Sequence, residues 1–403
     1  MALFERASEV IPGGIYGHLT PALLVPGASP YYAASASGCR YTDVDGNEYL
    51  DLMCCYGPIV LGYNHPEVEQ AAARQRELGD CFNHPAPVMV ELAERLVSLI
   101  DFAGWCVFGK NGSDMTTWAV QVAREQTGRR KVLIAEGAYH GMDPWCTPGH
   151  GGLIEEDLAH VHRFRYNDVD SLDAELALHG DDIAAIVLTP FHHPLYRNSE
   201  LPDPDFAAHV NTCCSDRGIV FVLDDVRAGF RLSIGGSHAL FGFEPDLACY
   251  SKAIANGYAL SAAVGTPQLR AAASRVFLTG SFWNAGVAMA AALATIEIMQ
   301  RDRSLEHART MGERLCRGLE DSARANGLQV RLSGPPAMPF MTFANESNLY
   351  RSQHFTRECL ARGMFVHPYH NWFVSAAMTP SDIDQAIAIA GEAFASVRER
   401  FAS

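Results

Sequence analysis

Gly218-Ile-Val-Phe-Val-Leu-Asp224-Asp225-Val226 is an apolar run that closes on acid, and Asp246-Leu-Ala-Cys-Tyr-Ser-Lys252-Ala-Ile-Ala-Asn-Gly257 carries a second apolar run into a lysine. Short continuous apolar stretches bounded by glycine and acid read as strands covered on both faces. A lysine held in a mostly apolar pocket has its charged form disfavoured, so its amine can condense with an aldehyde. A carboxylate beside a pyridine nitrogen keeps that nitrogen protonated and makes the ring an electron sink. Asp224 and Lys252 together supply what pyridoxal 5'-phosphate (PLP) chemistry requires. Either alone has an ordinary reading, the acid as a cap or turn residue and the lysine as a solvated charge.

Other segments fall into step with that pair. Trp105-Cys-Val-Phe108 reads as a strand, Gly109-Lys-Asn-Gly112-Ser113 as a tight turn, and 114–126 as a helix with Met115, Trp118, Ala119 and Val122 on one face. Strand, glycine turn and helix N-terminus make a phosphate cradle, because the free amides of the first turn and the helix dipole both favour an anion. Lys131-Val-Leu-Ile-Ala135 is the next strand, and Glu136-Gly-Ala-Tyr139-His140-Gly141 brings an aromatic ring able to cover a flat cofactor. Ile183-Ala-Ala-Ile-Val-Leu188 and Ala259-Leu-Ser-Ala-Ala-Val-Gly265 are further strands, with a helix over 206–217 between them. This alternation predicts a mostly parallel sheet with ligand groups at strand ends. Helices over 285–300 and 304–326 follow. Beyond them the runs 328–331, 340–343, 364–367 and 372–375 predict a small sheet before a last helix that starts near Pro380.

Composition narrows the function classes. A chain of 403 residues exceeds what one hydrophobic core usually serves, and a hydrophobic content of 48% is that of a globular enzyme. A net charge of −15 excludes a nucleic-acid partner, whose phosphates demand a positive face. No apolar run approaches the length of a membrane span and no secretory signal is evident, so a cytoplasmic protein without a membrane partner is expected. The 11 cysteines are scattered without CxxC spacing and are expected reduced.

The chain resembles the class III (subgroup II) aminotransferases of PLP fold type I, and within them the glutamate-1-semialdehyde aminomutase branch. The resemblance rests on Ile11-Pro-Gly-Gly14, Asp43-Val-Asp-Gly-Asn47 with Tyr49-Leu-Asp51, Gly57-Pro58, Leu61-Gly62, His65-Pro-Glu-Val68 and Glu91-Leu-Ala-Glu94. It continues through Glu136-Gly-Ala-Tyr-His-Gly141, Asp224-Asp-Val-Arg-Ala-Gly-Phe-Arg231, Ser251-Lys252 and Ala288-Met-Ala-Ala291, and so spans roughly residues 8 to 395. It implies an α/β fold of the aspartate aminotransferase type, with a mostly parallel central sheet in a large domain and a smaller α/β C-terminal domain. The expected divisions are 1–50, an N-terminal segment packing with the small domain; 51–285, the large PLP-binding domain; and 286–403, the small domain. By the same resemblance Lys252 holds the cofactor aldehyde, Asp224 faces the pyridine nitrogen, Val226 and Tyr139 cover the two ring faces with His140 close by, and Gly112 and Ser113 bind the phosphate. Ser281 matches a threonine that reaches the phosphate of the neighbouring subunit, which implies a homodimer.

Departures from the aminomutase pattern bear on substrate. Where that branch carries an arginine for the substrate carboxylate, the aligned run is Tyr16-Gly-His18-Leu-Thr20-Pro21, and threonine cannot make the bidentate contact of a guanidinium. The tryptophan before Gly-Pro is Tyr56, the late loop is the short Pro368-Tyr369-His370-Asn371-Trp372, and Thr189-Pro190-Phe191-His192-His193 replaces a Glu-Pro segment. Tyr16, Tyr56, His192, His193 and Tyr369 are therefore candidate substrate contacts. Hydroxyls, imidazoles and aromatic faces suit a polyhydroxylated or aminated ring, so the expected acceptor is an aldehyde or ketone of a non-carboxylate molecule such as an oxidised aminosugar or aminoglycoside intermediate. Glutamate or glutamine is the expected amino donor, with Arg227 or Arg231 available for its carboxylate. An isomerase, aminomutase or epimerase, uses the same lysine and is the alternative. No metal site is expected, since the spacings of His192-His193 and His160-Val-His162 do not by themselves make one.

Overall fold

The computed structural model describes residues 2–149 and 151–401. The chain packs as two compact units, one of Pro66–Pro194 with Glu200–Leu305, the other of the residues up to His65 with Leu195–Ser199 and those from Glu306 onward.

Among the described residues the first unit is built on a seven-stranded sheet in the order Trp105–Gly109, Ser261–Gly265, Leu247–Tyr250, Val220–Asp224, Ile183–Leu188, Lys131–Ala135, Val161–Phe164. The pairs from Val161–Phe164 across to Leu247–Tyr250 are parallel. Ser261–Gly265 runs against both of its neighbours. Every residue of Ile183–Leu188, Val220–Asp224, Leu247–Tyr250 and Ser261–Gly265 is buried, which is why these strands are apolar without alternation. Helix Gly112–Thr127 lies across them and buries Met115, Trp118, Ala119 and Val122, a spacing that puts all four on one face. Each large apolar side chain in this layer contributes roughly 1.5–3 kcal/mol of transfer free energy.

The helix begins at Gly112, two residues before the sequence predicted. The Asp114 carboxylate accepts from the amides of Lys110 (2.9 Å) and Asn111 (2.8 Å), and this tightens the turn so that Gly112 and Ser113 become its first helical residues. Helix Gly286–Arg301 packs against Pro66–Leu78 and Pro87–Leu99 within this same unit, so neither 50/51 nor 285/286 coincides with a boundary between packing units.

The second unit pairs Ala33–Ser37, Arg40–Asp43, Glu48–Asp51 and Met364–Phe365 in one sheet, and Val330–Ser333 with Phe340–Phe343 in a separate hairpin. The single small sheet predicted from four late runs is thus corrected. Met364 pairs in parallel with Leu50, and 372–375 is not a strand. Its backbone is satisfied piecemeal: Phe373 N–H donates to Leu52 O (2.7 Å) and Val374 N–H to Ala337 O (3.0 Å). Helices Tyr350–Leu360 and Pro380–Arg400 pack together, with Phe355 4.7 Å from Phe394 between ring centroids. Among the described residues no helix is long and apolar enough to cross a membrane.

Candidate active site

The parallel strands of the larger unit deliver chemistry at their C-terminal ends, as open α/β sheets do. Asp224 closes its strand almost fully buried. Its Oδ2 lies 2.8 Å from His140 Nδ1, and its Oδ1 accepts from the Val226 amide at 3.2 Å. The His140 ring is held in turn: it lies nearly parallel to Trp145 (centroids 6.1 Å, 7°), and the His140 carbonyl accepts from Thr116 Oγ1 at 2.7 Å. Its Nε2 is buried with no hydrogen-bond partner among the described residues.

Asp225, one residue on, is a different kind of acid. Its carboxylate accepts from the Ser237 amide and hydroxyl, and burial nonetheless raises it to about 7. The backbone thus turns Asp224 toward His140 while Asp225 serves as an internal brace.

Lys252 follows the neighbouring strand with φ +49°, a left-handed conformation that few non-glycine residues adopt without a reason. Ser251, before it, donates to Leu260 O at 2.9 Å and fixes the entry to the turn. Gly112 touches Val226 so closely that a Cβ on it would lie 2.9 Å and 3.0 Å from the two Val226 methyls. Ser113 Oγ accepts from the Met142 amide at 3.1 Å, which ties the helix N-terminus to the segment after His140. Gly141 has φ +143°, and a Cβ there would meet Ser113 Oγ at 2.6 Å, so glycine is required at 141 for this approach.

Tyr139 is half-buried, and burial raises its hydroxyl above the usual range. Arg227 shares its surroundings. Burial lowers that guanidinium to about 10, with Asp224 and Tyr139 acting in the opposite direction. The two candidate arginines separate here, since Arg231 is only 1% exposed and belongs to the interior.

The two histidines after Pro190 also separate. His192 is buried and stacks on Tyr166 (5.2 Å, 15°), and its backbone bridges to Glu200. His193 lies edge-on to Phe191 (5.3 Å), and burial together with Arg227, His192 and Lys252 holds its imidazole well below the usual range. His193 is therefore a neutral group in the surroundings of Lys252 and Arg227. Ser281 sits on an exposed surface turn near Phe277 and Phe282, which are 84% and 67% exposed.

The remaining substrate candidates lie in the other unit. Cys54, Cys55 and Tyr56 have φ of 48°, 54° and 61°, three successive left-handed non-glycine residues before Gly57. Buried Asp51 secures this costly turn, accepting from the Met53 amide (2.7 Å), the Cys54 amide (3.1 Å) and the Tyr63 hydroxyl (2.6 Å). It presents Tyr56 to an imidazole cluster with centroids at 5.2 Å (His370), 5.8 Å (His18) and 5.9 Å (His367), while the Tyr56 hydroxyl donates to His18 O at 3.2 Å. Tyr369 joins through His367 (5.9 Å) and Tyr196 (4.9 Å). Tyr16 stands 77% exposed, and His18, two residues on, takes the place beside Tyr56. Sequence reasoning did not single out His18, His367, Trp145 or Asp51; their only early signal was proximity in the chain to residues that it did.

Two measurements follow from these contacts. Gly112→Ala must push Val226 aside, so we expect a loss of about 1–3 kcal/mol in stability and weaker retention of PLP. Thermal unfolding and a PLP titration check this, and wild-type values in both would remove the tight contact from the site. His367 is 4% exposed, its Nδ1 accepts from the Tyr369 amide at 3.1 Å, and burial pushes it down to about 4. The unfolded chain takes up this proton near pH 6.5 and the folded chain does not, so stability must fall as pH drops from 6.5 toward 4, by at most about 3 kcal/mol from this group. His367→Asn retains an acceptor without a titrating ring, and its denaturation midpoint should change less over that interval. A slope equal to wild type would show that His367 titrates as an exposed ring does.

A lysine equipped to capture an aldehyde, set in a mostly parallel sheet of this topology, is the hallmark of the PLP-dependent enzymes of fold type I. Within them the chain belongs to the class-III aminotransferase family, whose model (Aminotransferase class-III) matches residues 26–394. It is 43% identical over 401 residues to the aminopentol aminotransferase of Sphingopyxis macrogoltabida, covering 100% of this chain and 95% of that one. It is 36% identical to the 3-aminobutyryl-CoA aminotransferase of Cloacimonas acidaminovorans (strain Evry), covering 99% and 97%. The solved PLP internal aldimine form of the Sphingopyxis sp. MTA144 FumI protein matches with a TM-score of 0.98 at 43% identity, covering 100% of this chain and 97% of that one. The protein is a PLP-dependent aminotransferase, and the larger unit offers groups that could hold the cofactor: a glycine-lined helix N-terminus suited to a phosphate, a buried acid suited to a ring nitrogen and a lysine suited to an aldehyde.

Proposed function

We propose that this aminotransferase exchanges an amino group with the aldehyde or ketone of a polyhydroxylated small molecule that carries no carboxylate at its reacting end. The oxidised aminosugars expected from sequence are the ring-form members of that class. The observation that carries the reading is the makeup of the Tyr56 cluster, in which Tyr56, His18, His367 and His370 offer hydroxyl, imidazole and aromatic surface; in the sequence, Thr20 stands where the aminomutase branch has an arginine. With His367 held neutral, that cluster favours hydroxyls over anions. The name aminopentol aminotransferase supports an amino alcohol, and the name 3-aminobutyryl-CoA aminotransferase, a thioester, supports only the absence of a free carboxylate.

PLP supplies an aldehyde that captures amines and a ring that takes up the electron pair left when a proton departs. Lys252 Nζ would hold the aldehyde and, when free of it, would move a proton at the amine-bearing carbon of the donor. Asp224, oriented by His140 Nδ1, would keep positive charge at the ring nitrogen. The amides at Gly112 and Ser113 would hold the phosphate, and Val226 and Tyr139 would cover the ring. Arg227, in the surroundings of Asp224 and Tyr139, receives the carboxylate of glutamate or glutamine as donor. Ser281, on its exposed turn beside Phe277 and Phe282, completes the phosphate site of a second copy in a homodimer.

The test is a substrate panel with PLP-loaded protein, measured in both directions by mass spectrometry. Amino polyols and oxidised aminosugars should exceed glutamate-1-semialdehyde in kcat/KM by about 100-fold or more, the scale on which a site built for hydroxyls discriminates. The opposite ranking sinks the substrate reading and leaves the aminotransferase class intact.

A further inference from the structure

Far along the sheet from Asp224, the edge strand Val161–Phe164 carries His162, and helix Val169–His179 packs against that strand. Glu175 and His179 are four residues apart on the helix and so share a face. One donor atom from each of His162, Glu175 and His179 lies within 4.8 Å of the other two. His179 Nε2 is 3.0 Å from Glu175 Oε2, and the two imidazoles stand 3.6 Å apart between centroids at 34°. His162 Nε2 is buried without a hydrogen-bond partner among the described residues. The alternate histidines His160-Val-His162 do not make this cluster; Glu175 and His179 reach His162 only through the fold.

We infer that His162, Glu175 and His179 bind one divalent transition-metal ion of the zinc class. Two imidazole nitrogens and one carboxylate oxygen are ligands such ions favour, and the fourth position is left to water. Donors bound to one tetrahedral zinc are about 3.4 Å apart, so the observed spacing closes with side-chain shifts of about 1 Å. The orphaned His162 nitrogen gains a partner, and the carboxylate offsets part of the ionic charge.

Lys131 opposes binding. Its Nζ lies 3.1 Å from His179 Nδ1, and an ammonium only donates, so Nδ1 accepts and Nε2 carries the proton facing Glu175. On metal binding that Nε2 proton leaves to solvent, Nδ1 takes up another proton from solvent, and Lys131 swings away. Lys131 is thus a built-in competitor. An occupied site ties the helix to an edge strand that otherwise presents one unpaired side.

The experiment is zinc titration of full-length PLP-loaded protein against a chromophoric chelator, with cobalt absorption as the second readout. One ion per chain should bind. His162→Ala and Glu175→Gln should each weaken it by about 100-fold, since loss even of outer-shell partners costs about 10–100-fold, and Lys131→Met should tighten it about tenfold. Zinc should raise the melting temperature of the wild type and leave that of His162→Ala unchanged. Exposed Cys55 and Cys81 can add weak background, which the His162→Ala comparison removes. Failure to bind one ion per chain, or equal binding by wild type and Glu175→Gln, whose partly exposed side chain leaves the fold intact, overturns the inference.

Discussion

Lys252→Ala should lower kcat for amino transfer by about 10⁴-fold or more, the range that general acid–base catalysis and covalent capture jointly supply. The substitution removes the amine while leaving the turn in place, because alanine and lysine share the same difficulty with φ +49° and Ser251 still anchors the preceding residue to Leu260 O. Lys252→Arg sharpens the result. It keeps a cation at the position, yet a guanidinium stays protonated and is not a nucleophile, so it should be as inactive as alanine. Borohydride treatment of wild type followed by peptide mass analysis should place the cofactor on the peptide containing Lys252, and on no peptide in either variant. Turnover within tenfold of wild type in Lys252→Ala would remove this residue from the chemistry. Activity in Lys252→Arg alone would mean that positive charge, not an amine, is what the position provides.

How far sequence reached depended on whether the information was local. The strand runs at 183–188 and 220–224 were legible because residues buried on both faces must be apolar throughout, and the helix after Gly112 because its apolar positions repeat at 3.6. Its starting point was not legible, since the carboxylate that draws the turn inward sits inside the helix at Asp114. Late in the chain, 372–375 had the composition of a strand, but its amides found partners in Leu52 and Ala337, hundreds and tens of residues away, and no local pattern encodes such a choice. The same limit governed the site. Asp224 and Lys252 could be picked out as candidates because each follows a buried apolar run, whereas the different surroundings of Asp224 and Asp225, His192 and His193, or Arg227 and Arg231 depend on which way a backbone turns. Tyr56 was legible as an aromatic replacement. The Asp51 anchor that allows three left-handed residues to carry it was invisible, because its hydrogen bonds give no signature in composition.

Asp224→Asn should cost about 10³-fold in kcat, with a smaller effect on the amount of PLP retained. The amide keeps the shape of the carboxylate, and its oxygen can still accept from His140 Nδ1, so the fold and the His140 orientation survive. What is lost is a full negative charge in a buried position, where an ion is worth far more than in water. Without it the ring nitrogen gives up its proton more readily and the electron sink weakens. If His140 acts through Asp224, His140→Asn should cost about tenfold, and the Asp224→Asn/His140→Asn double variant should be little worse than Asp224→Asn alone, a non-additivity expected of residues that form one unit. A purely structural role for His140 makes a different prediction: its loss would lower melting temperature and PLP content while leaving kcat per bound cofactor unchanged. Normalising rates to bound PLP therefore separates the two, and the shift of the cofactor's visible spectrum with pH in Asp224→Asn gives an independent reading of the ring nitrogen. Full kcat per bound PLP in Asp224→Asn would transfer the assignment to another acid, and Asp225, held to Ser237 and raised to about 7, is placed to brace the strand end and not to replace it.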